Sequence, residues 1–240
     1  MKKILQRAND RGRADHGWLK AKFSFSFAHY YNPENINFGA LRVLNDDIIQ
    51  GGMGFGTHPH DNMEIITIPL EGSLKHRDSM SNEWIPIYSG EVQVMSAGKG
   101  IQHAEMNNDP KNPLNLFQIW IMPNKNDVTP RYDQQKFKAT DRKNKLQVLV
   151  SSIDEPVEGT LEIHQDAKIS RIDLDANLNF GYTLKSENQG VYVMVIEGDI
   201  AIENETLSKR DAIGIFDTKE LRLISNSNVQ LLFIEVPMQL

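Results

Sequence analysis

At 240 residues and 40% hydrophobic, the chain has apolar material for one large or two small cores, since domains commonly run about 100 to 150 residues. Its net charge of −6, from 26 basic and 32 acidic side chains, argues against direct binding to phosphate backbones, and no nucleic-acid ligand is expected. With no cysteine, disulfides and thiolate–metal chemistry are excluded and nothing points to an oxidising compartment.

The opening stretch MKKILQRANDRGRADHG lacks an apolar core of signal-peptide length, and no apolar run approaches ~18 residues, so a cytoplasmic protein without a membrane span is expected. His16 falls in this polar stretch and is expected to be exposed, while His29, in the FSFAHYY run, is expected to close one end of a barrel. From there the apolar period is two. Glu64-Ile65-Ile66-Thr67-Ile68 runs into a Glu71-Gly72 turn and Ser73 to Arg77 returns from it; Val92 to Met95 and Leu116 to Ile121 are further half-buried strands rich in β-branched and aromatic residues. Short strands at regular spacing with Gly and Asn turns predict an all-β sandwich or barrel. For His76, on the returning strand, a structural hydrogen bond is favoured over a role in a site, because buried polar side chains have partners.

Two of these strands carry pairs of metal-ligand residues at alternate positions, His58-Pro59-His60 and His103-Ala104-Glu105. Residues i and i+2 of a strand share a face, about 7 Å apart along the backbone, so each pair projects two donors together and two such strands side by side enclose one ion. Three imidazoles and a carboxylate suit Fe, Mn, Co, Ni, Cu or Zn and suit Ca or Mg poorly. Glu64 shares the strand parity of His58 and His60 and is expected to support the site by orienting a histidine ring.

Residues 124–145 are polar, with Pro123 and Pro130 at the front and Lys136, Lys138, Arg142, Lys143 and Lys145 behind, and read as a connector whose basic cluster is a solvated face. After it the pattern recurs: Val195 to Ile200 echoes Pro69 to Leu74, and Asp211 to Ile215 echoes Glu91 to Met95. An internal duplication is the simplest account. The expected division is a metal-binding barrel over 1–123, the connector over 124–145 and a second barrel over 146–240. The repeat offset sets Leu184 and Ser186 opposite His58 and His60, so the second copy has lost its ligands, and its one histidine, His164, is expected at the surface or in the core.

A glycine-bounded H-x-H strand followed by a later glycine turn and histidine resembles the two-part cupin signature. The wording is closer to one branch, the pirin family: GTHPH, LEGSLKHRDSM at 70–80 and VMSAGKGIQHAEM at 94–106 all look like pirin text, and the stretch from Gly17-Trp18-Leu19 to Ala40–Asp46 is similar to bacterial pirin-like quercetinases. The resemblance, strong over roughly residues 10–135, implies a bicupin: two cupin-type β-barrels packed together with few short helices. It also implies that the fourth ligand is Glu105, giving His58, His60, His103 and Glu105 around one divalent transition metal per chain, iron first among the six.

The implied activity is quercetin 2,3-dioxygenation, in which a flavonol loses its 3-hydroxyl proton and reacts with O2 to give a depside and carbon monoxide. Glu105 is then the candidate base as well as a ligand, and Met53, Phe55, Met106 and Phe117 are apolar candidates for contact with a planar substrate. The alternative implied by eukaryotic pirins is a metal-dependent, redox-responsive protein-binding cofactor acting on transcription. A zinc cupin of the sugar-isomerase kind ranks lower, since that likeness stops at the barrel signature.

Overall fold

Alternating apolar and polar positions give twenty-two strands and one 3-10 turn, Ala139–Arg142, in the computed structural model, which describes residues 1–239. Leu240, the end of the expected second barrel, lies outside the described residues. The first half of the chain holds β1 (Lys2–Gln6), β2 (Gly12–Asp15), β3 (Leu19–Phe23), β4 (Leu41–Ile49), β5 (Gly54–His60), β6 (Glu64–Glu71), β7 (Ser73–Asp78), β8 (Ile85–Tyr88), β9 (Glu91–Ser96), β10 (Ile101–Asn107), β11 (Leu114–Ile121) and β12 (Arg131–Lys136). The second holds β13 (Gln147–Ser152), β14 (Leu161–Ile163), β15 (Lys168–Leu174), β16 (Asn179–Thr183), β17 (Gln189–Glu197), β18 (Ile200–Ile202), β19 (Glu205–Leu207), β20 (Ala212–Phe216), β21 (Glu220–Ser225) and β22 (Val229–Pro237).

These strands build two barrels of one design. In the first, a long sheet ordered β12-β9-β6-β11-β4-β3-β2 is closed by β5-β10-β7-β8; in the second, β1-β20-β17-β22-β15-β13-β14 is closed by β16-β21-β18-β19. The two orders match position by position, so β6 corresponds to β17, β9 to β20, β11 to β22 and β5 to β16. The repeated Glu-Gly turns sit at the same joint, after β6 and after β17.

Two edge strands cross the expected boundaries. β12, inside the stretch read as a connector, pairs antiparallel with β9 and completes the first barrel's long sheet, Arg131 opposite Ser96. β1 instead joins the second barrel, with Lys2 opposite Phe216 on β20. An edge strand is half solvated and tends to carry charge, which is why RYDQQK and KKILQ look unlike core strands in sequence.

The long sheets pack back to back. On β11, Phe117, Ile119 and Ile121 turn towards the second barrel and join Tyr192, Met194 and Leu232 in one apolar core, while Leu114, Leu116, Gln118 and Trp120 turn into the first barrel. Each such side chain, fully buried, stabilises by about 1.5–3 kcal/mol, so the junction is a core in its own right. Among the described residues no helix is long and apolar enough to cross a membrane.

Candidate metal centre

β5 and β10 are antiparallel neighbours, with His58 opposite His103 and Ile101 opposite His60. Gly54 permits the close approach of the two backbones, since a Cβ there would meet the Glu105 carbonyl oxygen at 2.2 Å. Between the His58–His103 and Phe55–Glu105 pairs lies a bulge, where Gly56 and Thr57 oppose Ala104 alone. The extra residue lets His58 and Phe55, three positions apart, both face the barrel interior, which strict alternation would forbid.

The ring centroids of His58, His60 and His103 lie 4.4 to 4.9 Å apart, and their ligating nitrogens fall within 4.8 Å of one another. His58 Nδ1 donates to the Gly56 carbonyl at 2.8 Å, which fixes the tautomer and leaves Nε2 bare, 3.0 Å from His103 Nε2. Two nitrogens each about 2.1 Å from one ion, at right angles, are separated by about that distance. His103 Nδ1 is buried without a partner. Burial, then the neighbouring His58 and His76 rings, push His103 down to about 3; burial, then His103 and His58, push His60 down to about 4. Both rings are therefore neutral near pH 7, the state in which imidazole binds a metal. Trp120 meets the His60 ring edge-on at 4.9 Å and limits its rotation.

Glu105, at the next inward position of β10, is buried. Gln118 Nε2 donates to its Oε2 at 2.9 Å. The Thr67 hydroxyl lies 3.4 Å from Glu105 Oε1 and 3.2 Å from Gln118 Oε1; having one proton it donates to one of them, so Oε1 is the less firmly held oxygen of Glu105. The Glu105 carboxylate groups within 4.8 Å with His103 and His76, so it stands beside the histidine trio on the His103 side.

His76 is fully enclosed. Its Nε2 donates to Asp78 at 3.1 Å, its Nδ1 accepts from the Gln93 amide at 3.2 Å, and its ring stacks on Tyr132 with centroids 4.8 Å apart. With both nitrogens committed, it fills the structural role expected of it, against the back of His103. Burial pushes the Asp78 carboxyl up, but hydrogen bonds from His76 and the Met80 and Ser81 amides outweigh it and hold the group below its ordinary range.

A row of polar side chains that sequence reasoning passed over lines the same interior, and three of its members, Gln93, Thr67 and Gln118, hold His76 and Glu105 in place. Gln93, Thr67, Gln118 and Asn45 are successive cross-strand partners on β9, β6, β11 and β4, all buried. Their signal was present in the sequence: each puts an amide or hydroxyl where the strand's alternation calls for an apolar residue, as in Ile-Ile-Thr-Ile and Leu-Phe-Gln-Ile.

Glu64 departs from its expected role. The turn over 61–63, with Asn62 at φ 41°, carries the chain from β5 into the other sheet, so parity counted from His60 no longer applies. Glu64 points out of the first barrel, accepting a hydrogen bond from Ser96 Oγ at 2.7 Å and meeting His164 Nδ1 at 3.3 Å. It orients none of the three clustered histidines; burial raises its carboxyl, and His164 belongs to the junction between the halves. Of the four apolar residues expected near a substrate, Phe55 faces the first barrel. Met53 is exposed, Met106 sits at the outward parity of β10, and Phe117 faces the other half. In the second barrel Leu184 is core, and both clusters of candidate ligands found among the described residues lie in the first barrel.

Residues 5–121 match the family described as Pirin, and residues 148–236 match the Quercetinase C-terminal cupin domain. A quercetin 2,3-dioxygenase of Escherichia coli (strain K12) is 43% identical over 234 residues, covering 97% of this chain and 98% of the relative. The chain belongs to the pirin family. A pirin-like protein of Caulobacter vibrioides is 39% identical to this pirin over 224 residues, 93% of this chain and 95% of that one. The crystal structure of bacterial pirin YhhW in complex with nickel(II), from Escherichia coli, matches with a TM-score of 0.91 at 38% identity, covering 98% of this pirin and 99% of that chain. The pirin is thus an all-β bicupin with a cluster of His and Glu side chains fit to hold a metal in its first barrel.

Proposed function

We propose that this chain is a metal-dependent dioxygenase that cleaves a flavonol such as quercetin with O2 and releases carbon monoxide. The observation that carries the reading is the trio of imidazoles on β5 and β10, with ligating nitrogens within 4.8 Å of one another and Glu105 beside it; relatives named quercetin 2,3-dioxygenase support the choice of reaction. His58, His60 and His103 would hold one divalent transition metal per chain, with Glu105 as fourth ligand. Iron is the first candidate, Mn, Co, Ni, Cu and Zn share the donor preference, and the solved E. coli relative is a nickel(II) complex. Bound there, such a metal supplies open coordination positions and the redox chemistry that O2 activation requires.

The chain's own residues do the rest. Glu105 takes the flavonol's 3-hydroxyl proton on Oε1, the oxygen left freer by Thr67, while Gln118 keeps Oε2 in place and the carboxylate aimed. Asp78 and Gln93 clamp His76, which backs the His103 ring. The test is oxygen uptake and carbon monoxide release with quercetin, before and after metal removal. Flavonol and O2 consumed in equal amounts, only with metal present, is the expected result; tight metal-dependent binding without turnover would favour the protein-binding alternative.

A further inference from the structure

Against Phe55 and Asn45, the first barrel holds a cavity of about 500 Å³ that no step above uses. Trp18, Phe27, Tyr30 and Phe55 form its walls, supplied by the β2–β3 hairpin, the loop after β3, and β5. Asn45 and Asp47 face it from β4. Both are almost fully buried, and in each the Oδ1 atom has no hydrogen-bond partner. A buried polar oxygen left unpaired costs free energy, so two of them at one wall of an aromatic-sided cavity point to a ligand with polar atoms to meet them.

The cavity adjoins the proposed reaction centre through the strands. Phe55 is the cross-strand partner of Glu105, and Asn45 is the partner of Gln118, which donates to Glu105. Burial, then the nearby Asp46 and Glu105, raise Asp47 to about 8, so near neutral pH its carboxyl keeps its proton and has one to donate. Asn45 offers an acceptor or, with its amide turned, a donor. Aromatic walls with a few convergent polar groups suit a flat ring bearing hydroxyls.

We infer that this cavity receives the hydroxylated pendant ring of the flavonol, with Asn45 and Asp47 hydrogen-bonding the ring hydroxyls and the aromatic walls stacking on its faces. The inference rests on the dioxygenase reading for the identity of the ligand; the cavity, its walls and its unpaired oxygens stand apart from it. Asn45 and Asp47 are then specificity-determining residues that sort flavonols by the hydroxylation of the ring attached at C2, beside the bonds that break.

The experiment is a titration of the metal-loaded protein, with oxygen excluded, by quercetin and by galangin, which differs from it only in having no hydroxyls on its pendant ring, followed by tryptophan fluorescence. Asn45→Ala and Asp47→Ala should each weaken quercetin roughly 3- to 10-fold, the size of one buried hydrogen bond, and leave galangin within about 2-fold. Ala14→Trp, which fills the cavity from its outer wall, should weaken both ligands and keeps the test open if the β4 variants fail to fold. Unchanged quercetin affinity in all folded variants overturns the inference, as does equal loss of both ligands in Asp47→Ala, or a wild-type protein that does not bind quercetin. Admitting air then separates the two readings. The expected binding pattern without oxygen uptake upholds the cavity and rejects the dioxygenase, whereas oxygen uptake with quercetin affinity unchanged in Asp47→Ala and Ala14→Trp does the reverse.

Discussion

Across the long sheet of the first barrel, Gln93, Thr67, Gln118 and Asn45 face inward in one row; on the matching strands of the second barrel the same row reads Ile213, Val193, Phe233 and Ser170. The second row packs as a core at Ile213, Val193 and Phe233, with Tyr182, Leu184 and Leu223 against it, and carries one unpaired polar atom, the Ser170 hydroxyl. The first is polar at all four positions and leaves unpaired oxygens on Asn45 and Gln93, and across the barrel from it His103 keeps an unpaired nitrogen. One scaffold thus carries a filled interior and an interior held open by polar groups, and the second conflicts with stability unless something binds there. The strand order gives no hint of which barrel does which; four side chains in one row do.

The largest effect that can break this comparison is loss of the histidines. Alanine at His58, His60 or His103 removes one ligand from the cluster, and metal affinity should fall by more than the 10- to 100-fold typical of supporting residues, whereas His164→Ala should retain full metal. Elemental analysis of the four variants decides it; equal metal in all, or metal in excess of one per chain, would dissolve the distinction between the barrels. Next in size is Glu105→Gln. Its amide oxygen still coordinates but has no use for a proton, so oxygen uptake with quercetin should drop about 10²- to 10⁴-fold with partial metal retained. Glu64→Gln, on the far side of β6, should leave turnover measurable.

Exchanging the rows sharpens the contrast. Gln118→Leu gives the first barrel an apolar residue where the second has Phe233, removes the donor to Glu105 Oε2, and should lower turnover about 10- to 100-fold at unchanged metal content. The reverse change, Val193→Thr, buries a hydroxyl in a dry core and should cost about 1–3 kcal/mol by denaturant unfolding, without creating a metal site.

The smallest effect is in pH dependence, measured as Tm after chelation. Unfolded aspartate releases its proton near pH 3.9 and folded Asp47 near 8, so the fold binds an extra proton between them and loses stability as pH rises through that window. His60 and His103 act oppositely. Their rings charge near pH 6.5 when unfolded, but only near 4 and 3 when folded, so stability drains as pH falls below about 6.5. Asp47→Asn should flatten the loss between pH 6.5 and 8 and, with its opposing contribution gone, steepen the fall on the acid side between about 6.5 and 4; an unchanged alkaline slope would remove Asp47 from the account.

How far the sequence could be read depended on whether a position's face could be counted along one strand. His58 and His60, and likewise His103 and Glu105, lie two apart on single strands, so period two puts each pair on one face and the structure agrees. Glu64 is only four residues beyond His60, but the turn between them changes sheet, and no periodicity survives a change of sheet. Phe117 and Gln118 are neighbours on β11 and face opposite barrels; the aromatic residue drew notice as a substrate contact while the amide did the supporting work. Asn45 and Asp47 sit in an Asn-Asp-Asp run that looks like a turn, and only pairing with β3 and β11 shows it to be mid-sheet.

The edge strand β1 sets a timetable for synthesis. Lys3 bonds Glu205, 202 residues away, so the strand leaves the ribosome long before β20, its partner, has been made. At ordinary elongation rates of 5 to 20 residues per second that is a wait of roughly 10 to 40 s. Through it the backbone edge of β1 stays unpaired beside Lys2 and Lys3, whose charges discourage pairing with the wrong chain. The first barrel can close during this interval, since β12 follows soon after β11, whereas the second closes only when β1 docks against β20, made some two hundred residues later.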